Sequence, residues 1–279
     1  MNALVAHIAS LLEDLYDRDE AESLAWWVAE ETTGLSRTQL LCDCKGTTFS
    51  PYMQEVVSRL RHFEPIQYVF GHTLWCGLDL KVTPATLIPR PETAELVIKV
   101  ESLKLKDERP RILDVCTGSG CIAIALKKRH PEWQVTGIDI SAEAIEIAKE
   151  NAQRNNVEVR FEVADIFDFN GENYKGPMAN GKYDIIVFNP PYIRESEKME
   201  MRRNVLDFEP AQALFVPDDD PLKFYRQIAS LRLGQQLFFE INEAFGNEVE
   251  QLMCEYGYVD VQIIKDSYGK ARIVEGRMA

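Results

Sequence analysis

The sequence predicts an α/β fold: a mostly parallel sheet with helices on both faces, preceded by an N-terminal helical bundle and a β-hairpin connector. Three observations carry this. Apolar spacing over the first ~75 residues is helical throughout, with no strand alternation. Glu64 to Pro91 holds short β-type stretches broken by Gly71, Gly77, Pro84, Pro89 and Pro91. From Arg111 onward strand and helix patterns alternate, as parallel strands with crossover helices require. The corresponding segments are 1–75 (helical), 76–105 (hairpin and helix connector) and 106–279 (the sheet domain).

In the helical segment, Leu4, Ile8, Leu11, Leu12 and Leu15 share one face, and Leu24, Ala25 and Val28 make a second stripe. Ser36 is placed to cap a short helix through Leu41, and Met53, Val56, Val57, Leu60 and Phe63 form another amphipathic face. Trp26-Trp27 reads as core plus rim rather than a ligand platform. In the connector, Tyr68–Phe70 and Leu78–Val82 have strand composition, and a short helix runs from Glu92 to about Lys104. Strands follow at Ile112–Cys116, Gln134–Asp139, Val159–Ala164, Asp184–Phe188, Gln236–Ile241, Val259–Ile264 and Arg272–Val274. Between them lie helices at Cys121–Arg129, Ala142–Asn155, Pro221–Leu231 and Asn247–Tyr256. The last two strands, close in sequence, should form an antiparallel hairpin at one edge of the sheet.

Composition narrows the function. Asp and Glu total 45 against 31 Lys and Arg, a net charge of −14, and the first 80 residues hold 12 acidic and 5 basic residues. A phosphate-backbone clamp needs a basic stripe, so direct nucleic-acid binding is disfavoured and a basic protein partner is favoured. No run approaches the ~20 apolar residues of a membrane span, and the N-terminus lacks a basic export-signal region, so a cytoplasmic protein is expected. Of the six cysteines, Cys42 and Cys44 lie two apart with no ligand following at zinc spacing, and the other four sit in apolar surroundings. Reduced thiols and no metal site are expected. His7, His62, His72 and His130 are scattered and read as structural or surface residues.

Chemistry concentrates in two places. The first is Asp114-Val-Cys-Thr117-Gly118-Ser119-Gly120-Cys121-Ile-Ala123, which follows a strand and opens a helix. Gly118, Gly120 and Ala123 fit G-x-G-x-x-A, in which small residues let backbone approach a ligand. Asp139, 19 residues beyond Gly120 at the end of the next strand, is placed to accept from ribose hydroxyls. A nucleoside-bearing ligand follows. The turn itself also admits a dinucleotide, but a carboxylate at Asp114 suits a sulfonium and an ammonium and would repel a pyrophosphate. After the third strand, Asp165 can accept from an adenine amino group and Phe167 can cover the ring.

The second place is Asn189-Pro190-Pro191-Tyr192, directly after the strand Tyr183–Phe188. Two prolines remove two donors and leave stiff carbonyl acceptors, and Asn189 adds a side-chain carbonyl. Such a site matches an –NH₂ group, one N–H going to Asn189 and another to the Pro190 carbonyl, with Tyr192 stacking on the flat group. An amide nitrogen is a poor nucleophile because its lone pair is delocalised. Holding both N–H bonds would orient it.

Together these motifs resemble the class I methyltransferases carrying N-P-P-Y, and most of all the release factor glutamine methyltransferase family. The connector carries Glu64-Pro65-Ile66-Gln67-Tyr68-Val69-Phe70-Gly71 and Ile88-Pro89-Arg90-Pro91-Glu92-Thr93, similar to that family's E-P-x-Q-Y-x-x-G and I-P-R-P-[ED]-T. Phe208-Glu209-Pro210-Ala211-Gln212-Ala213-Leu214 resembles its F-E-P-x-x-A-L. The sequence departs at Val216–Pro221, where the family carries a glycine-rich stretch, and at Asn242, where it carries glycine. The resemblance implies a seven-stranded Rossmann-like methyltransferase domain using S-adenosylmethionine. It implies methylation of the glutamine amide in the Gly-Gly-Gln loop of class I peptide release factors. Asp114, Thr117, Gly118, Ser119, Gly120, Cys121, Asp139, Asp165, Phe167 and Asn189 would bind the cofactor. Asn189, Pro190, Pro191, Tyr192 and Glu209 would serve the substrate glutamine. Methylation of a ribosomal-protein glutamine, or of adenine or guanine amino groups in nucleic acid, is the alternative. Arg90, between two prolines, reads as a connector anchor.

Overall fold

A computed structural model describes the chain except Met1, Cys44, Lys45, Lys104, Lys106, 170–181 and Ser267. The expectation for Cys44 therefore lies outside the described residues. The chain forms two compact units, Met1–Phe70 with Arg202–Phe208, and Gly71–Met201 with Glu209–Ala279.

The first unit is helical: α1 (Ala3–Ser10), α2 (Arg18–Thr33), α3 (Arg37–Leu41), α4 (Pro51–Arg61) and α5 (Ile66–Phe70). Caps define the ends. Asp17 accepts from the Glu20 amide, Ser36 and Gln39 form a capping box, and Gly34 closes α2 in the left-handed region. Leu4, Ile8 and Leu12 are buried with Ala25, Trp26, Val28, Met53, Val56, Val57 and Leu60, so the apolar stripes meet in one core. Trp27 packs against that core from its edge. Leu15 and Phe63 depart from their stripes: Leu15 is exposed, and Phe63 lies beyond α4 at φ 65°.

Tyr68–Phe70, expected as a strand, is the end of α5. The Pro65 carbonyl accepts from the Tyr68 and Val69 amides at 2.9 and 3.0 Å, and Arg59 Nη1 donates to the Val69 carbonyl at 3.0 Å. Burial of Ile66, Tyr68 and Val69 in a helical turn outweighs their strand propensity.

The hairpin instead pairs β1 (His72–Trp75) with β2 (Leu78–Lys81). Cys76 and Gly77 join them, both at positive φ (50° and 79°), the two-residue turn that matches strand twist. Two asparagines one helical turn apart seat this hairpin on the sheet domain. Asn151 Oδ1 accepts from the Lys81 amide at 2.6 Å, and Asn155 Nδ2 donates to the Asp79 carbonyl at 2.9 Å. After α6 (Thr93–Glu101) come β3 (Arg111–Val115), α7 (Cys121–Arg129), β4 (Gln134–Asp139), α8 (Ala142–Arg154), β5 (Arg160–Val163), β6 (Tyr183–Phe188) and β7 (Ile193–Arg194). The chain continues through α9 (Arg203–Leu206, in the first unit), α10 (Ala211–Leu214), β8 (Phe215–Val216), α11 (Lys223–Leu231), β9 (Gly234–Glu240), α12 (Gly246–Glu255), β10 (Tyr258–Lys265) and β11 (Ala271–Met278).

Seven strands form the main sheet in the order β10-β11-β9-β6-β3-β4-β5. Neighbours from β9 to β5 are parallel, and β11 runs antiparallel to both β9 and β10. The expected terminal hairpin is present, with β11 inserted between β9 and β10. Strand order reverses at β3, which has β4 on one side and β6 on the other, so the carboxyl ends of β3, β4, β5, β6 and β9 share one edge. That is where a doubly wound sheet leaves a crevice. β7 and β8 form a separate two-stranded pair that apolar patterning did not mark. Among the cysteines of this unit, Cys121 is buried in the core, whereas Cys254 is exposed on α12. Among the described residues no helix is long and apolar enough to cross a membrane.

Candidate active site

At that edge lies a cavity of ≈ 580 Å³. Its walls come from the turn after β3 (Thr117, Gly118, Ser119), from Asp139, from Asp165 and Phe167, and from Asn189 and Pro191. The connector closes another side with Pro84 to Leu87, Pro89, Arg90 and Thr93.

The β3 turn is built from strained backbone and small residues. Cys116, Gly118 and Gly120 sit at φ 56°, 54° and 81°. The Thr117 amide donates to the Ile138 carbonyl at 2.9 Å, tying the turn to β4. A Cβ on Gly120 would meet Ile124, Phe161 and Ala148 at 3.0–3.1 Å, whereas one on Gly118 would meet none of the described residues within 4 Å. Gly120 therefore serves packing, and Gly118 faces open space. Asn151 Nδ2 donates at 2.9 Å to both the Ser119 and Lys81 carbonyls, linking the turn to the hairpin. Nothing in the local sequence marks Asn151 for this. Its partners are set by tertiary packing.

Asp114 is fully buried beneath the turn and does not line the cavity. Its Oδ2 accepts from Thr117 Oγ1 at 2.6 Å and from the Ala123 amide at 3.2 Å, and its Oδ1 has no hydrogen-bond partner among the described residues. Burial pushes its pKa up to about 7, against the pull of those two bonds. Asp139 stands on the cavity wall. Its two oxygens accept from the Gly118 and Ser141 amides, both at 2.9 Å, and burial raises its pKa despite them. Asp165 caps the turn Ile166–Asp168 by accepting from the Phe167 amide at 2.8 Å. Phe167, 45% exposed, leans on Phe224 with ring centroids 5.5 Å apart.

Asn189 directly follows β6, and its Nδ2 donates to Thr93 Oγ1 at 3.4 Å. Pro190 and Tyr192 lie behind the wall. The Tyr192 hydroxyl donates to Glu240 Oε1 at 3.2 Å, and burial beside that carboxylate raises its pKa. Glu209 is also behind the wall, 6% exposed, with Oε1 2.7 Å from Arg90 Nη2 and Oε2 accepting from the Ile88 amide at 3.2 Å. Arg90, not Glu209, reaches the cavity. Of the residues singled out from the sequence, Thr117, Gly118, Ser119, Cys121, Asp139, Asp165, Phe167, Asn189 and Pro191 meet around one space. Asp114, Gly120, Pro190, Tyr192 and Glu209 support it from behind.

Residues 95–211 match the family described as "Methyltransferase small domain". A release factor glutamine methyltransferase from Bacteroides thetaiotaomicron is 42% identical over 98% of this chain and 99% of its own length. One from Flavobacterium psychrophilum is 40% identical over 95% and 94%. Among solved structures, a methyltransferase from Pyrococcus furiosus superposes with TM-score 0.50 at 18% identity, covering 79% of this chain and 96% of its own. The hMettl16 catalytic domain superposes with TM-score 0.57 at 15% identity, covering 85% and 86%. These two likenesses establish the methyltransferase fold of the sheet, and the full-length likenesses establish more: the chain belongs to the release factor glutamine methyltransferase family.

Proposed function

We propose that this chain transfers a methyl group from S-adenosylmethionine to the side-chain amide nitrogen of the glutamine in the Gly-Gly-Gln loop of class I peptide release factors. One observation carries the reading. Asn189 and Pro191 share a cavity with Gly118, Asp139, Asp165 and Phe167, so an acceptor-rich amide site adjoins a nucleoside-type site.

The residues present fit the cofactor. Each Asp139 oxygen holds one backbone N–H and keeps a lone pair for a ribose hydroxyl. The open space at Gly118 admits a ligand close to the backbone. Phe167 offers an exposed ring face for adenine, and Asp165 an acceptor beside it. Asp114 acts through Thr117 and the Ala123 amide, which it fixes from below. When bound, S-adenosylmethionine supplies an electrophilic methyl on a cationic sulfur.

For the substrate, Asn189 Oδ1 accepts an N–H bond of the glutamine amide. That bond orients the nitrogen and favours the positive charge that develops on it. Pro191 and its neighbours exclude water, and the proton leaves after the nitrogen becomes cationic, so no strong general base is required. Tyr192 and Glu209 serve as supports, Tyr192 holding the tetrapeptide to Glu240 and Glu209 holding the connector through Arg90 and the Ile88 amide. The helical unit, with Asp17, Asp19 and Glu20 exposed or half-buried at the start of α2, offers an acidic face to a basic protein partner.

The test is methyl transfer from labelled S-adenosylmethionine to purified release factor and to its Gln→Ala loop variant. Label on the unaltered factor alone is expected. Label on neither, with cofactor binding intact, would redirect the reading to ribosomal proteins and nucleic acid. Asn189→Ala should lower turnover by about a hundredfold while cofactor affinity stays within about threefold. Near-full activity in that variant would remove Asn189 from the site.

A further inference from the structure

Glu240 ends β9 behind the cavity wall, 4% exposed, and among the described residues no well-aligned hydrogen bond reaches its Oε2. Its Oε1 accepts from Tyr192 at 3.2 Å. The Thr93 hydroxyl also lies against this carboxylate and stabilises its charge. Thr93 is the first residue of α6, 2% exposed, and its Oγ1 is the partner of Asn189 Nδ2 at 3.4 Å. Three residues far apart in sequence thus form a line from a buried carboxylate to the Asn189 carboxamide.

We propose that Glu240 and Thr93 are positioning residues that fix which end of the Asn189 carboxamide faces the cavity. The proposal rests on the reading of Asn189 Oδ1 as an acceptor for the substrate amide. An ionised carboxylate only accepts, so the single Thr93 hydroxyl proton is directed to Glu240. The Thr93 oxygen then offers a lone pair to Asn189, which must meet it with –NH₂. Oδ1 is left toward the cavity. With the amide reversed, an N–H would face the incoming glutamine N–H and the site would repel its substrate.

A protonated Glu240 donates instead of accepting, and the line can run backwards. Burial holds the Glu240 pKa at about 7, against the stabilising effects of Thr93, Tyr192 and Arg272, with Glu92 adding to the rise. The groups facing it are Glu92 and Thr93 from α6, Tyr192 after β6, Arg272 from β11, Cys121 from α7, and Tyr225 from α11, whose hydroxyl donates to the Glu240 main-chain carbonyl. Tyr192, Tyr225 and Cys121 are held neutral by burial. Arg272 Nε is bound to Asp266 at 2.8 Å.

The test compares Thr93→Val, which keeps the shape, with Thr93→Ser, which keeps the hydroxyl. Thr93→Val should lower kcat by about tenfold or more, leave the KM for S-adenosylmethionine within about twofold, and Thr93→Ser should restore most of the loss. The acid limb of the wild-type kcat profile, centred near pH 7, should vanish in Thr93→Val. A wild-type kcat in Thr93→Val, or equal impairment of both variants, overturns the relay. A wild-type enzyme that methylates no release factor defeats the functional reading instead. The relay is then judged by the Asn189 carboxamide signal in ¹⁵N NMR, identified by its loss in Asn189→Asp. A signal that titrates near pH 7 in the wild type but not in Thr93→Val supports the relay, and one that does not titrate overturns it.

Discussion

Gly118 and Gly120 share a motif and a left-handed backbone, yet alanine at each should fail in a different way. Alanine at either position incurs the cost of a Cβ in the left-handed region, about 1 kcal/mol. At Gly118 the new methyl meets none of the described residues within 4 Å, so little is added to that cost. At Gly120 the methyl lies 3.0 Å from both Ile124 Cδ1 and Phe161 Cζ and 3.1 Å from Ala148 Cβ. All three belong to buried residues, which cannot give way without disturbing α7, α8 and β5. Overpacking of this kind costs roughly 1–3 kcal/mol more. Gly120→Ala should therefore lose about 3 kcal/mol, or ~6–12 °C in Tm, and Gly118→Ala about 1 kcal/mol, or ~2–4 °C. Cofactor affinity should rank them oppositely, because Gly118 lines the cavity and Gly120 does not. Calorimetric titration with S-adenosylhomocysteine, below the melting range of both variants, should show the larger loss for Gly118→Ala. Equal thermal losses, or a Gly118→Ala protein that binds as the parent does, would refute the division between a packing glycine and a contact glycine.

Asp139→Ala should weaken cofactor binding by about tenfold to a hundredfold, the worth of hydrogen bonds to a charged acceptor, and unaltered affinity in calorimetry would exclude the ribose role. Glu209→Gln removes the charge that pairs with Arg90. It should cost roughly 2 kcal/mol in urea unfolding, less than a fully buried pair because Arg90 is a third exposed, and a loss below about 0.5 kcal/mol would mean that the pair holds nothing. Asp114 and Glu240 both bind their protons more tightly in the fold, to about pH 7, than in the unfolded chain, where carboxyls titrate near 4. The stability these protons contribute is complete below about pH 4 and is lost as pH rises toward 7, by up to ~1.4 kcal/mol per pH unit for each group. Asp114→Asn should remove one of the two contributions, and an unchanged pH slope of unfolding free energy would show that Asp114 titrates as an ordinary carboxyl.

The parts of the site legible in the sequence are those that a parallel sheet places by rule. Once β3, β4, β5 and β6 are recognised as consecutive parallel strands, their carboxyl ends must share an edge. The residues following them (Thr117 to Ser119, Asp139, Asp165 and Asn189) then converge without knowledge of any side chain. The connector offers no such rule. Pro84 to Thr93 precedes the sheet and pairs with none of its strands, yet it supplies a cavity wall. What fixes it there is contacts across long sequence separations: Asn151 to Lys81, 70 residues apart, and Glu209 to Arg90, 119 apart.

Motif membership also says nothing about direction. Tyr192 and Glu209 sit in the most recognisable stretches of the chain, yet neither lines the cavity: the Tyr192 hydroxyl goes to buried Glu240, and Glu209 goes to Arg90, which does line it. Arg90 and Thr93, read as an anchor and a motif end, are the residues those supports deliver to the wall. A buried carboxylate is costly unless something satisfies it. The fold meets that requirement fully for Glu209, through Arg90 and the Ile88 amide, and at one oxygen of Glu240, through Tyr192, so a carboxylate behind the wall holds a polar residue that lines it. Reading the site from the sequence thus depends on asking of each carboxylate what it would need if buried, as well as what it could bind if exposed.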